Sequence, residues 1–141
     1  MQTDQAGKDF IKSNEGLVLT VQQDAGGKQK IGYGHDLLPG ESFPNGIDEP
    51  FACTLLDGDA AKGNVAISAL GWTLTQNQWN ALSDFTYNEG IEALDELAAH
   101  GEDETAEQFP RWVWAKENSV ETILPGLATR RAKEVALWNQ V

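Results

Sequence analysis

Glu15-Gly16-Leu17-Val18-Leu19-Thr20-Val21-Gln22-Gln23-Asp24-Ala25-Gly26-Gly27-Lys28-Gln29-Lys30-Ile31-Gly32-Tyr33-Gly34-His35 is the stretch on which the reading of this chain turns. Leu17, Leu19 and Val21 alternate with Val18, Thr20 and Gln22, which is the period of a strand. Asp24-Ala25-Gly26-Gly27 interrupts the pattern as a hairpin turn does, and a second strand is expected through Lys28 to Gly34. Upstream, residues 3 to 14 read as a helix, with Phe10 and Ile11 as its main apolar contribution and Gly16 as its stop. Glu15 then sits at a helix C-terminus and Asp24 in a turn. The glycine-paced strand beside them lets a ligand approach the backbone.

Two carboxylates in such different places suit acid/base hydrolysis of a polysaccharide. That chemistry needs one carboxyl that keeps its proton for the leaving oxygen and a second that stays ionised. The negative end of a helix dipole disfavours the ionised form of Glu15, whereas a turn leaves Asp24 solvated. A single Glu and Asp pair is far more often solvated surface charge, so spacing alone does not decide the matter.

The rest of the chain is helical in pattern. Leu38-Pro39-Gly40 and Pro44-Asn45-Gly46 make a long loop region, after which Asp48 is a candidate cap with Pro50 in the first turn. Gly58 and Gly63 weaken the segment that follows, which leaves one helix or two. Thr75-Gln76-Asn77-Gln78 has the spacing of a capping box, and Trp79, Leu82, Phe85 and Thr86 follow on one face until Gly90. Thr105-Ala106-Glu107-Gln108 repeats that spacing ahead of Arg111-Trp112-Val113-Trp114. Pro125-Gly126 separates this segment from a last helix of about 13 residues, built on Leu127, Ala128, Ala132, Val135 and Trp138. No internal repeat or low-complexity tract is visible. The expected architecture is α+β, one domain over 1–141. A small antiparallel hairpin lobe at about 16–48 is set against a mainly helical lobe, made of the first helix and about 49–141, with a cleft between them.

Composition narrows the function classes. Ten basic against twenty-two acidic residues give a net charge of −12, so nucleic-acid binding lacks its driving term and attraction to anionic membranes is disfavoured. The acid is scattered, densest at Glu102-Asp103-Glu104, as on a solvated surface. No stretch approaches the roughly 20 apolar residues of a membrane span, and Met1 to Lys8 lack the apolar core of a secretory signal. Cys53 is the single cysteine, expected as a free buried thiol, so no intramolecular disulfide forms. Gly32-x-Gly34 lacks the third glycine and the helix start of a dinucleotide site.

The opening stretch resembles the active-site signature of the phage-type lysozymes, the glycoside hydrolase family that includes many phage endolysins. Eight residues separate Glu15 from Asp24, five separate Asp24 from Lys30, and Ile31-Gly32-Tyr33-Gly34-His35 follows. Two further blocks are similar in the same order. Thr75 to Leu82 leading to Tyr87-Asn88-Glu89-Gly90 resembles the family's central helix. Leu124-Pro125-Gly126-Leu127 with Arg130-Arg131-Ala132-Lys133-Glu134 and Leu137-Trp138 resembles its C-terminal helix. The resemblance implies a lysozyme-like fold with a cleft between two lobes, and a muramidase that cleaves the β-1,4 bond between N-acetylmuramic acid and N-acetylglucosamine in peptidoglycan with inversion. It implies Glu15 as general acid and Asp24 as the carboxylate that activates water or stabilises the transition state. Arg131 is implied as the cation approaching Glu15, Asn88 as an amide in the sugar cleft, Gly32, Tyr33 and Gly34 as the cleft floor, and His35 as a structural ion-pair or hydrogen-bond partner. No metal and no cofactor are implied. The partner is the glycan strand, the chain acts as a monomer on the cell wall in the periplasm or outside the cell, and release follows a holin-type route or loss of a signal.

Lys30 departs from the family, which commonly has threonine there to position the attacking water. A charged lysine has no acceptor for that purpose. Either its ammonium points into the cleft, or it snorkels outward along an exposed hairpin edge, where lysine discourages strand pairing. Two other readings therefore stay open: a lytic-transglycosylase-like variant that releases an anhydro sugar, and a catalytically weak peptidoglycan-binding module. The acidic surface is a second departure. It implies work in acid or at high ionic strength, where repulsion from an anionic envelope is weakened.

Overall fold

In the computed structural model, which describes residues 1–24, 26–117 and 119–140, the chain begins with helix α1 (Gln5–Glu15). Asp4 caps it by accepting the Gly7 amide at 2.9 Å, and Gly16 ends it at φ +72°. Ala25 of the expected turn lies outside the described residues. Strands β1 (Val18–Gln23), β2 (Gln29–Gly32) and β3 (His35–Asp36) form one antiparallel sheet in the order β1-β2-β3. The expected second strand thus stops two residues early. Gly32 at φ +68° and Gly34 at φ +74° adopt backbone that side-chain-bearing residues rarely take, and they fold the chain back at Tyr33 into a third short strand. The hairpin is a three-stranded meander, and β2 is its centre rather than its edge.

Asp48 accepts the Phe51 amide at 2.9 Å and starts α2 (Glu49–Ser68). Gly58 and Gly63 do not divide it. Gly63 is buried where α2 crosses the central helix α3 (Gln76–Glu89), and a Cβ there would meet the Thr86 methyl at 3.6 Å. Helical hydrogen bonds and the packing of α2 against α3 outweigh the glycine penalty of about 1 kcal/mol each. The capping box forms as expected, with Thr75 Oγ1 accepting from Gln78 N and Gln78 Oε1 from Thr75 N.

The face of Trp79, Leu82, Phe85 and Thr86 expected on α3 is buried, and the residues between them are buried as well. The helix is surrounded by α1, α2, α4 (Ile91–Ala98) and α6 (Pro125–Trp138). Its polar residues look like a solvent face in sequence but receive these neighbours. Asn80 donates to Asp4 at 2.8 Å, Ser83 meets Thr3 at 2.6 Å, and Asp84 accepts from Arg130. The apolar side of α3 joins Ile67, Leu94, Leu97, Phe109 and Trp138 in the main core.

Four further segments differ from expectation. Helix α4 had no assignment from sequence; its stripe of Ala93, Leu94 and Leu97 is short and flanked by acid. The Thr105 spacing does not make a capping box. Thr105 is buried as the first residue of the one-turn helix α5 (Thr105–Gln108), and its hydroxyl donates to the Gly101 carbonyl at 3.2 Å. The Trp-rich segment opens a second hairpin, β4 (Trp114–Glu117) with β5 (Val120–Ile123). Pro125 and Gly126 then form the first turn of α6 instead of separating it from what precedes, because proline there gives up only an amide that has no helical partner. Among the described residues, no helix is long and apolar enough to cross a membrane.

Candidate active site

Glu15 is the last residue of α1, half-buried, and its Oε1 accepts from Arg130 Nη1 at 2.8 Å. Its Oε2 lies against Gly34 so closely that a Cβ at that position would collide with the carboxylate. Gly34 in turn lines a groove of about 450 Å³ with Asp36 and Leu38 from the sheet side, and Asp59, Tyr87 and Glu89 from the helices. The helix end, the sheet turn and α6 therefore meet at one carboxyl group.

The cation is Arg130, not Arg131. Arg130 donates through Nε and Nη2 to both oxygens of Asp84, each at 2.9 Å, and through Nη1 to Glu15. Burial works against the charge, but the bonds to Asp84 and Glu15 outweigh it and raise the Arg130 pKa. Asn14 Nδ2 adds a third donor to Asp84 at 3.2 Å. Two adjacent arginines on a helix point about 100° apart, so only one of them faces α1. Arg131 is fully buried on the other heading. It holds Glu89 at 3.0 Å, Asn88 at 2.7 Å and Glu134 at 2.8 Å, and its guanidinium lies 5.1 Å from the Phe85 ring centroid. Burial and then the neighbouring Asp84 carboxylate raise the Glu134 pKa, against the pull of both arginines. Burial also raises the Glu89 carboxyl.

Asp24 follows β1 in the hairpin loop and is exposed. Its Oδ1 accepts the Gly26 and Lys28 amides, both at 2.9 Å, which fixes the loop and leaves Oδ2 as the oxygen able to face a water. Lys30 does not snorkel outward along an edge. It sits on the central strand, and its Nζ is 2.6 Å from Oδ1 of Asp36, its register partner on β3.

Of the three cleft-floor residues, only Gly34 faces the groove. A Cβ on Gly32 would meet Ala52 at 3.3 Å, so this residue backs onto α2. The Tyr33 hydroxyl donates to Glu49 at 2.9 Å and its ring lies 5.2 Å from Lys12 Nζ, away from the groove, while its carbonyl accepts from the Tyr87 hydroxyl. Glu49 also accepts from Cys53 Sγ at 3.0 Å, so the thiol is half-exposed on α2 rather than buried. Asn88 keeps its oxygen on Arg131 while its neighbours Tyr87 and Glu89 line the groove. His35 is buried between Asp59 Oδ2 at 2.6 Å and Glu41 Oε1 at 2.8 Å, tying the sheet to α2 and to the following loop. Burial opposes a charge there, but the two carboxylates prevail and raise its pKa.

Sequence reasoning missed Arg130, Asp84, Asp36 and Glu89. The tandem arginines were visible in the sequence, but the burial of Asp84, which makes a cation beside it necessary, was not.

The chain belongs to the phage lysozyme family, a family of peptidoglycan-hydrolysing glycoside hydrolases, which it matches over residues 12–134. It is 35% identical over 99% of its length to the endolysin of Bacillus phage PZA, of which it spans 55%, about half of that relative. It is 32% identical to the endolysin of Acyrthosiphon pisum secondary endosymbiont phage 1, covering 99% of both chains. The muramidase domain of SpmX from Asticaccaulis excentricus superposes with a TM-score of 0.83 at 32% identity, covering 99% of each chain.

Proposed function

We propose that this chain is a muramidase that hydrolyses the β-1,4 bond between N-acetylmuramic acid and N-acetylglucosamine, with Glu15 as general acid. The observation that supports this most is the setting of the Glu15 carboxyl, with Oε1 occupied by Arg130 and Oε2 against Gly34 at the wall of the groove. Arg130 fixes which oxygen carries the proton. In the reaction Oε2 gives that proton to the glycosidic oxygen as the bond from the anomeric carbon breaks. A water attacks the anomeric carbon from the opposite face and its proton passes to Asp24 Oδ2, which inverts the configuration. Tyr87 and Glu89 contact the glycan from the groove walls.

Lys30 supports a second reading. With no hydroxyl at that position, a transglycosylase-like course remains open, in which the N-acetyl group of muramic acid assists and a 1,6-anhydro sugar leaves. Mass analysis of fragments released from purified peptidoglycan separates these readings: a reducing muramic acid supports hydrolysis, and a product lighter by one water supports the second course. Glu15→Gln abolishes release in both. Binding without release by the parent chain, unchanged in Glu15→Gln, would overturn both readings in favour of a binding module.

A further inference from the structure

We propose that Asp36 is a positioning residue that keeps the Lys30 ammonium away from Asp24. The inference rests on the muramidase reading above, and its starting point is the register of the sheet. Lys30 is opposite Gln22 on β1 and opposite Asp36 on β3. Asp24 follows two residues after Gln22, and its backbone amide donates to the Lys28 carbonyl at 2.9 Å, so the β1–β2 pairing continues to that point. Residues two apart share a face of a sheet, and a diagonal neighbour is within reach of a long side chain. Asp24, Lys30 and Asp36 therefore share one face, opposite the one that buries Ile31 and His35.

Lys30 thus stands between two carboxylates and is bound to one of them. Its Nζ lies 2.6 Å from Asp36, with both side chains partly open to water at 32% and 52% exposure. Such a pair contributes little to folding stability. Its consequence is geometric. An ammonium offers three donors and no acceptor, on a flexible stem. Released from Asp36, it has Asp24 as its diagonal partner on the same face. An ion pair there would occupy Oδ2, the oxygen that accepts the proton of the attacking water, since Oδ1 is already spent on two loop amides. Asp36 lines the same groove as Gly34, which backs Glu15, so the restraint acts at the site itself. The lysine that departs from the family pattern comes with its own counter-ion two strand positions from the turn.

The test is a cycle of Asp36→Asn and Lys30→Thr, read as kcat and KM for fragment release from purified peptidoglycan, with melting temperature as a control. Asp36→Asn in the parent is expected to lower kcat about fivefold with little change in KM. Asp36→Glu restores kcat. In the Lys30→Thr background, Asp36→Asn changes kcat by less than about twofold, because the ammonium that Asp36 restrains is gone. Equal losses of kcat in both backgrounds, or no loss in the parent, would overturn the role of Asp36 while leaving the muramidase reading intact. Absence of any fragment release from both the parent and Lys30→Thr would overturn the two together.

Discussion

Removing the Asp84 carboxylate tests the arrangement that holds the candidate acid in place. Asp84 is fully buried and receives two charged hydrogen bonds from Arg130, each at 2.9 Å, and one from Asn14 at 3.2 Å. Asp84→Ala leaves Arg130 buried with two donors unpaired. Breaking a buried ion pair from one side costs about 3–5 kcal/mol. Arg130 keeps Glu15 as a partner, so the lower end applies, about 3 kcal/mol. For a chain of this length that is a fall in melting temperature of about 10 °C. Replacing both partners by apolar groups removes the penalty on each side, so Asp84→Leu with Arg130→Met is expected within about 1 kcal/mol of the parent. Its activity should not return, because Glu15 has lost the anchor that orients it, and a misplacement of about 1 Å at the reacting group costs roughly a hundredfold. Urea denaturation at neutral pH reads the first quantity and fragment release from peptidoglycan the second. A loss below about 1 kcal/mol in Asp84→Ala, or a double variant no more stable than that single one, would refute the reasoning.

Three further outcomes are expected. His35 has a raised pKa in the fold, so its contribution is fully present below its unfolded value of about 6.5 and is lost as pH rises through the folded one. Glu41 is lowered, first by the Leu38 amide and then by His35, so its contribution is present above about 4.5 and is lost in stronger acid. The stability difference between the parent and His35→Asn, measured by urea denaturation, should therefore be larger near about pH 5.5 than near about pH 8. Gly34→Ala places a methyl against Glu15 Oε2 at a φ of +74°, and should lower kcat by about tenfold or more with a loss of stability of about 1–2 kcal/mol, read by initial rates and thermal melting. With a net charge of −12, lysis of an anionic envelope should speed up as salt rises from about 0.01 to 0.1 M, where the screening length falls from about 30 to 10 Å; a rate that falls instead counts against the repulsion argument.

Much of the fold was legible because its signals are local. Asp48, Thr75 and Gly16 act through hydrogen bonds or φ angles within three residues, and each helix boundary they mark is where the sequence places it. Signals that depend on surroundings were misread. Gly63 looks like a helix breaker, but it is buried within α2 against Thr86, where packing and helical hydrogen bonds carry the helix through it. Asn80, Ser83 and Asp84 look like a wet face, but they are the sockets for Asp4, Thr3 and Arg130.

The sequence by itself determined the family, the helix that ends at Glu15, the turn that carries Asp24, and the glycines between them, because covalent spacing and backbone preference reside within short segments. Only the tertiary structure decided which of two adjacent arginines reaches Glu15, which carboxylate holds Lys30, and that Tyr33 and Gly32 turn away from the groove. Those choices depend on the heading of α6, on cross-strand register and on the close approach of α2. Each is set by packing between segments far apart in the chain, so no local spacing contains it.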